Sequence, residues 1–185
     1  LDQPLLAELM QPAPMPLLLQ DAIRFDAVRY RYTGDGPWVL DDLNLTIPKG
    51  ARVGFVGSTG SGKSTMLDLL MGLLMPTEGV LLVDGQTIRG NRLRAWQQSI
   101  THVPQNIYLA DTTLAENIAF GVQPDTIDLD RVQHAARQAQ IADFIESNPE
   151  GYQAYVGERG IRLSGGQRQR IGIARALYKQ ASVLV

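Results

Sequence analysis

An alternation of apolar and polar residues is the first pattern along this chain. Between Ile23 and Tyr32 apolar side chains recur at nearly every second position, which predicts a β-strand. A glycine-rich turn at 33–37 leads to a second alternating run at 39–47. A further strand at 80–83 is followed by Asp84-Gly85, a strong hairpin signal, and a return at 86–88. These segments together predict an antiparallel β region.

The pattern becomes helical after about residue 110. Helices are predicted at 111–120, 128–139, 141–147 and 168–178. Asp111 and Asp128 stand where N-caps are expected. A short helix at 94–99 and a strand at 100–103 come before this stretch. We therefore expect an inserted α-helical subdomain over about 110–180.

The two ends of the chain differ from the rest. Residues 1–20 combine four prolines with leucines and predict a linker or the tail of an upstream domain, with one short helix at 5–10. The folded domain is expected over 21–185. The final apolar run, 181–185, predicts a buried strand. Because the chain opens on Leu1 and closes in such a run, we expect it to be part of a longer protein.

A glycine-rich loop lies between an apolar run at 52–56, predicted as a buried strand, and a predicted helix at 64–71. Its sequence matches the motif G-x-x-x-x-G-K-S of the phosphate-binding P-loop. The loop consists of Gly57, Ser58, Thr59, Gly60, Ser61, Gly62, Lys63, Ser64 and Thr65. The glycines let the backbone curl around phosphate oxygens, and the N–H groups at the helix start point at the anion. Lys63 is expected to reach the β and γ phosphates and Ser64 to hold Mg²⁺.

Composition narrows the choice of function. The chain has 185 residues, a formal net charge of −2 and no cysteine. The acidic balance argues against a nucleic-acid surface, and the missing cysteine excludes disulfides and zinc–thiolate sites. No apolar run reaches the length of a transmembrane helix.

A second anion-binding turn is predicted at the start of the last helix. Ser164, Gly165, Gly166 and Gln167 place a serine and two glycines at a helix N-terminus, where free N–H groups can meet phosphate. Together with the P-loop, the run 163–170 closely resembles the signature motif of the ATP-binding cassette (ABC) ATPases. The resemblance covers about 22–185. It implies an α/β fold with a P-loop NTPase core, an antiparallel β subdomain and an inserted helical subdomain. It also implies ATP and Mg²⁺ as cofactors.

Two further residues take their expected roles from this resemblance. Tyr32 resembles the aromatic residue that stacks on adenine. Tyr30 is a rival for this role, and the alternative for Tyr32 is an aromatic side chain of the strand in the core. Gln105 resembles the glutamine that approaches Mg²⁺ and the attacking water. The resemblance thus implies Lys63 and Gln105 as catalytic residues and Ser64 and Gln105 as metal ligands.

The runs 156–160 and 111–118 resemble the exporter branch of the family. That branch implies a transmembrane domain upstream in the same parent chain, and a second nucleotide-binding domain as partner, expected to be an identical copy. The parent would lie at the cytoplasmic face of the inner (plasma) membrane and would not bind nucleic acid. It would couple ATP hydrolysis to transport.

The sequence departs from the family pattern at its end. The Asp and Glu that follow the last strand in the family are not in the given sequence. We expect this chain to bind ATP without hydrolysing it efficiently. One alternative is a soluble ABC ATPase that acts on nucleic acid or the ribosome. A small-molecule kinase on a P-loop is another, but kinases lack the Ser-Gly-Gly-Gln helix start.

Overall fold

A computed structural model of the protein describes residues 14–157 and 163–185. The chain divides into two compact units, which meet in sequence between Ile100 and Thr101. The helix predicted at 5–10 lies outside the described residues, as does most of the exporter-like run 156–160. None of the helices in the described part is long and apolar enough to cross a bilayer.

The first unit is built on a four-stranded sheet. Its strands are β1 (Ala22–Tyr30), β2 (Leu40–Pro48), β3 (Glu78–Val83) and β4 (Gln86–Thr87). They lie in the order β2-β1-β3-β4 with antiparallel pairing throughout. The central strand β1 buries Ile23, Phe25 and Val28, so its alternation marks a core-facing side. The predicted antiparallel region is confirmed.

The hairpin between β3 and β4 has the turn that its dipeptide predicts. Asp84 and Gly85 have φ angles of 52° and 73°. Two successive left-handed residues match the right-handed twist of the flanking strands.

Two helices complete the first unit, α1 (Lys63–Leu70) and α2 (Gly90–Gln98). The fully buried Trp96 of α2 donates a hydrogen bond from Nε1 to the Leu70 carbonyl oxygen at 2.7 Å. Because a buried indole N–H needs an acceptor, this bond satisfies Trp96 and fastens α2 to the end of α1.

The prediction of a buried strand at 52–56 is wrong. In the described structure these residues form no strand, and Val53 and Val56 are 47% and 94% exposed. An apolar run becomes a strand only where another strand supplies its backbone hydrogen bonds. The antiparallel sheet of this unit does not pair with the run, so it precedes the glycine-rich loop as irregular backbone.

The second unit is helical, as predicted. Its helices are α3 (Leu114–Ile118), α4 (Leu129–Gln138), α5 (Ala142–Glu146) and α6 (Gly165–Tyr178), with 3-10 turns at Pro124–Thr126 and Gly151–Gln153. The core of the unit includes the fully buried Ile118, Val132, Ile145 and Ile171.

The caps of these helices agree with the sequence at α4 and differ at α3. The Asp128 carboxylate accepts a hydrogen bond from the Arg131 N–H at 3.0 Å, which confirms the predicted cap. The cap of α3 is Thr113, not Asp111. Thr113 and Glu116 form a reciprocal capping box at 3.2 and 3.0 Å, which satisfies two backbone donors where an aspartate alone satisfies one.

A short pair of strands, β5 (Ile100–Thr101) and β6 (Val183–Leu184), completes the described secondary structure. The Val185 N–H donates to the Thr101 carbonyl at 2.9 Å. The predicted terminal strand is therefore present, but its predicted burial is wrong, since Leu184 is 54% exposed. Among the described residues β6 pairs with β5 alone, and of its two side chains Val183 is partly buried and Leu184 is exposed.

Candidate functional site

The glycine-rich loop 57–62 runs directly into α1, and two of its glycines have left-handed backbone. Gly60 and Gly62 have φ angles of 83° and 85°. A Cβ on Gly62 would lie 2.9 Å from the Val39 carbonyl oxygen and 2.9 Å from Leu40 Cδ2. Glycine is thus required at Gly62 on two grounds, the backbone angle and the close approach of the chain before β2.

The ammonium group of Lys63 lies within the loop. Its Nζ donates to the carbonyl oxygens of Gly57 and Ser58, each at 2.8 Å, and to Ser61 Oγ at 3.3 Å. These three acceptors are neutral. A phosphate would offer charged oxygens to the same ammonium, and charge-assisted hydrogen bonds are the stronger kind.

The start of α1 adds further donors. The hydrogen bond from Met66 N–H to the Gly62 carbonyl opens the helix, so the earlier N–H groups lack helix partners. The first turn holds no acidic residue and no side-chain cap. The positive end of the helix dipole is therefore available to an anion beside Lys63. The exposed Ser64 hydroxyl lies on the same turn.

Tyr32 lies beside this loop, in the connection between β1 and β2. Its hydroxyl is 3.0 Å from Thr65 Oγ1, and its ring meets the ring of Tyr30 edge-on, with centroids 5.1 Å apart. Tyr32 is 64% exposed and Tyr30 is 8% exposed. The structure therefore places Tyr30 in the core and Tyr32 on the open side.

An open hollow of about 440 Å³ lies in front of these groups. It is lined by Tyr32, Val39 and the loop and helix residues Thr59, Gly60, Ser61, Gly62, Lys63, Ser64 and Thr65. The structure thus brings Tyr32 together with most of the predicted P-loop residues. A base-stacking role for Tyr32 stays a prediction.

The second predicted turn begins α6, in the second unit. Ser164 and Gln167 form a reciprocal capping box: Gln167 N–H donates to Ser164 Oγ at 3.2 Å, and Ser164 N–H donates to Gln167 Oε1 at 2.8 Å. A Cβ on Gly165 or Gly166 would meet no atom within 4 Å. The Ser164 hydroxyl thus stabilises the helix start, and the glycines leave its face open.

Gln105 lies in an exposed loop after β5. It lines an open hollow of about 460 Å³ together with Gly165, Arg168 and Gln169. The sequence did not predict that this glutamine and the α6 turn of the same chain would share a hollow. Gln105 and the α6 turn lie some sixty positions apart in the chain, and sequence patterns do not reveal a contact over that separation.

No group of three or more His, Cys, Asp or Glu side chains among the described residues could hold a metal ion. The predicted ligands Ser64 and Gln105 belong to different units. Ser64 has the exposed hydroxyl oxygen that suits a hard cation already bound to phosphate.

A buried polar network that the sequence analysis missed lies in the second unit. The fully buried Asn117 accepts from the Ala110 N–H and donates to the Ala110 carbonyl, both at 3.0 Å. Arg175 of α6 donates to the carbonyls of Asn117 and Tyr108 at 2.9 and 3.0 Å, and burial lowers the pKa of Arg175. The sequence feature that could have indicated this network is Asn117 itself, a polar residue on the apolar face of a predicted helix.

Comparison with known proteins defines the class of this one. Residues 40–185, most of the chain, match the family described as ABC transporter. The chain therefore belongs to the ABC transporter family, and its resemblance to the ABC ATPases is confirmed.

The relatives make the comparison more specific. An ATP-dependent lipid A-core flippase of Chromohalobacter salexigens is 43% identical over 185 residues, which are 100% of this chain and 31% of that protein. One of Alkalilimnicola ehrlichii is 44% identical over 165 residues, covering 88% and 28%. A solved structure of a bacterial Atm1-family ABC exporter with ATP bound matches with a TM-score of 0.81 and 39% identity, covering 95% of this chain and 30% of that one. The chain thus spans about a third of the length of these relatives.

Proposed function

We propose that this chain is the ATP-binding domain of an ABC exporter. The observation that carries the proposal is the position of the Lys63 ammonium, inside a glycine loop at the start of α1 and beside the exposed ring of Tyr32. A triphosphate fits the loop and helix N-terminus, and an adenine fits an aromatic face.

Each group has a distinct part in this proposal. Lys63 exchanges its carbonyl partners for β- and γ-phosphate oxygens, and the first N–H groups of α1 bind the same charge. Mg²⁺, when bound with ATP, would neutralise phosphate charge, and Ser64 is the residue of the first unit that would hold it. Gln105 is proposed to approach the same phosphate end.

Replacing Lys63 tests whether the glycine-rich loop binds the phosphates of ATP. We expect Lys63→Ala to weaken ATP binding at least about tenfold, because a charge-assisted contact to the phosphates is lost. Isothermal titration calorimetry of the chain with Mg²⁺ and ATP measures the change. Lys49→Ala removes an exposed lysine outside the loop and is the matched control. Equal affinities for the wild type and Lys63→Ala would show that the loop does not bind the nucleotide.

We further propose that the parent protein is a membrane exporter whose two nucleotide-binding domains face each other. Ser164, Gly165, Gly166 and Gln167 of one copy would complete the ATP site of the other, since the turn is open and offers helix N–H groups. The flippase relatives support lipid A-core or a similar lipid-linked saccharide as the cargo. We propose the cytoplasmic face of the inner membrane as the location of this domain.

The two-chain site can be tested at Gly165. In a protein that carries this domain together with its membrane helices, we expect Gly165→Arg to abolish ATPase stimulation by lipid A-core, because the arginine side chain would occupy the open face. ATP affinity of the isolated chain should stay within about twofold, since Gly165 has no neighbour for a Cβ to strike. Gly165→Ala is the control that retains stimulation. Full stimulation in Gly165→Arg, or none in the wild type, would contradict the proposal.

A further inference from the structure

A hydrogen bond between two hydroxyl groups joins the two ends of the candidate ATP site. The Tyr32 hydroxyl lies 3.0 Å from Thr65 Oγ1. Thr65 is 6% exposed and is the third residue of α1, whereas Tyr32 is 64% exposed. A buried group on the phosphate-binding helix therefore holds the tip of an exposed aromatic side chain.

We propose that Thr65 is a positioning residue for the nucleotide base. Through this bond it holds the Tyr32 ring at the edge of the hollow before a nucleotide arrives, so that the ring is ready to stack on the base. This inference rests on the proposed function and goes beyond it, since it assigns the Thr65 side chain a role toward the base.

The Tyr32 ring is held at two points. Thr65 binds the hydroxyl end, and the Tyr30 ring packs edge-on at an interplanar angle of 87°. Tyr30 is itself buried, and its carbonyl accepts from the Val39 N–H at 2.9 Å, which closes the connection that carries Tyr32. A side chain that is already ordered loses less conformational freedom when a ligand binds, and this raises affinity.

The position of Thr65 links the base end to the phosphate end. It directly follows Lys63 and Ser64, so one turn of α1 presents the ammonium, the metal-binding hydroxyl and the partner of Tyr32. The Tyr32 hydroxyl, in contrast, lies outside the phosphate-binding loop, so removing it should affect only ligands that carry a base. That separation distinguishes positioning of Tyr32 from general support of the loop.

The test compares ATP with inorganic tripolyphosphate, which has the phosphates and lacks the base. Tyr32→Phe keeps the ring and Thr65→Val keeps the shape, and each removes one hydroxyl. We expect each to weaken ATP binding by about two- to tenfold, the effect of one lost hydrogen bond, and we expect Tyr32→Phe, whose lost hydroxyl lies outside the P-loop, to leave tripolyphosphate binding unchanged. The double variant should lose no more ATP affinity than Thr65→Val alone, and Thr65→Ser should restore ATP binding.

Several results would overturn the inference. ATP binding by Tyr32→Phe that is unchanged or tighter would show that the bond does not prepare the ring. An equal loss of tripolyphosphate binding in Tyr32→Phe would mean that the bond supports the loop and not the base. Tyr32→Phe alters only the tip of an exposed side chain, so it decides the question even where Thr65→Val fails to fold. Failure of the proposed function would appear separately, as an unchanged affinity in Lys63→Ala.

Discussion

At the scale of single residues, Asp84 shows how one carboxylate organises the entry to the fold. Its oxygens accept hydrogen bonds from the N–H groups of Gln20, Asp21 and Ala22 at 3.0, 2.7 and 3.1 Å. Burial acts to raise the pKa of Asp84, but these three donors and the nearby Arg92 outweigh it, and the pKa is lowered from its ordinary value of 3.8. The charged carboxylate thus fastens the segment before β1 to the β3–β4 hairpin.

This clamp predicts a pH-dependent local stability. A lowered pKa in the folded state means that the stabilisation is present above about pH 3.8 and is lost as the pH falls through the lowered pKa. We expect Asp84→Ala to speed hydrogen exchange of the three amides about fivefold at neutral pH, the effect of about 1 kcal/mol. The difference should shrink below pH 3.8.

Hydrogen exchange followed by mass spectrometry or NMR measures this effect. Asp35→Ala, at an exposed aspartate in the connection between β1 and β2, is the matched control and should leave the three amides unchanged. Equal exchange in Asp84→Ala and the wild type at neutral pH would contradict the clamp.

At the scale of secondary-structure elements, Asn117 joins α3 to the loop before it and to α6. The Asn117 side chain accepts a hydrogen bond from the Ala110 N–H and donates one to the Ala110 carbonyl. Arg175 of α6 donates to the Asn117 carbonyl. A buried side-chain amide can supply the hydrogen bonds that backbone groups outside helices and strands do not receive from other backbone groups. The network therefore holds the loop after Gln105 against two helices.

Removing this side chain should destabilise the second unit. We expect Asn117→Ala to lower the free energy of unfolding by at least about 2 kcal/mol, since it leaves the partly buried Ala110 N–H without its partner and removes the amide that donates to Thr112 Oγ1 and the Thr113 carbonyl. Urea unfolding followed by far-ultraviolet circular dichroism measures the helices of this unit. Asn106→Ala, at an exposed asparagine, should change stability by less than about 0.5 kcal/mol. Similar midpoints for both variants would rule out the structural role.

The elements also show where sequence patterns succeed. β1, β2, α4 and α6 have strong periodicity or clear caps, and each forms close to its predicted position. The run 52–56 is as apolar as a strand but has no ladder partner in the described structure. Thr113 and not Asp111 caps α3, because a capping box satisfies more backbone N–H donors than a single aspartate does.

At the scale of the whole molecule, the chain consists of two units with different architecture. The first holds the antiparallel sheet, the glycine-rich loop, Tyr32 and the helices α1 and α2, and the second holds the helices α3 to α6, Gln105 and the Ser164 turn. Membership of the ABC transporter family accounts for both units in one chain. The phosphate-binding loop and the α6 turn lie in different units, so Lys63→Ala and Gly165→Arg probe them separately.

The sequence by itself determined the features that depend on neighbouring residues. These are the positions of β1 and β2, the β3–β4 hairpin turn, the helical second half, the two glycine-containing turns and the family. Spacing along the chain sets them, because backbone angles and helix starts are local properties.

Only the tertiary structure decided the features that depend on distant residues. It shows that the Tyr32 ring is exposed and the Tyr30 ring is buried, and it joins the Tyr32 hydroxyl to Thr65, at a separation of 33 positions. It also left the run 52–56 without a strand partner and Leu184 exposed. Hydrogen-bond partners and burial are supplied by groups far apart in the chain, and no local pattern records them.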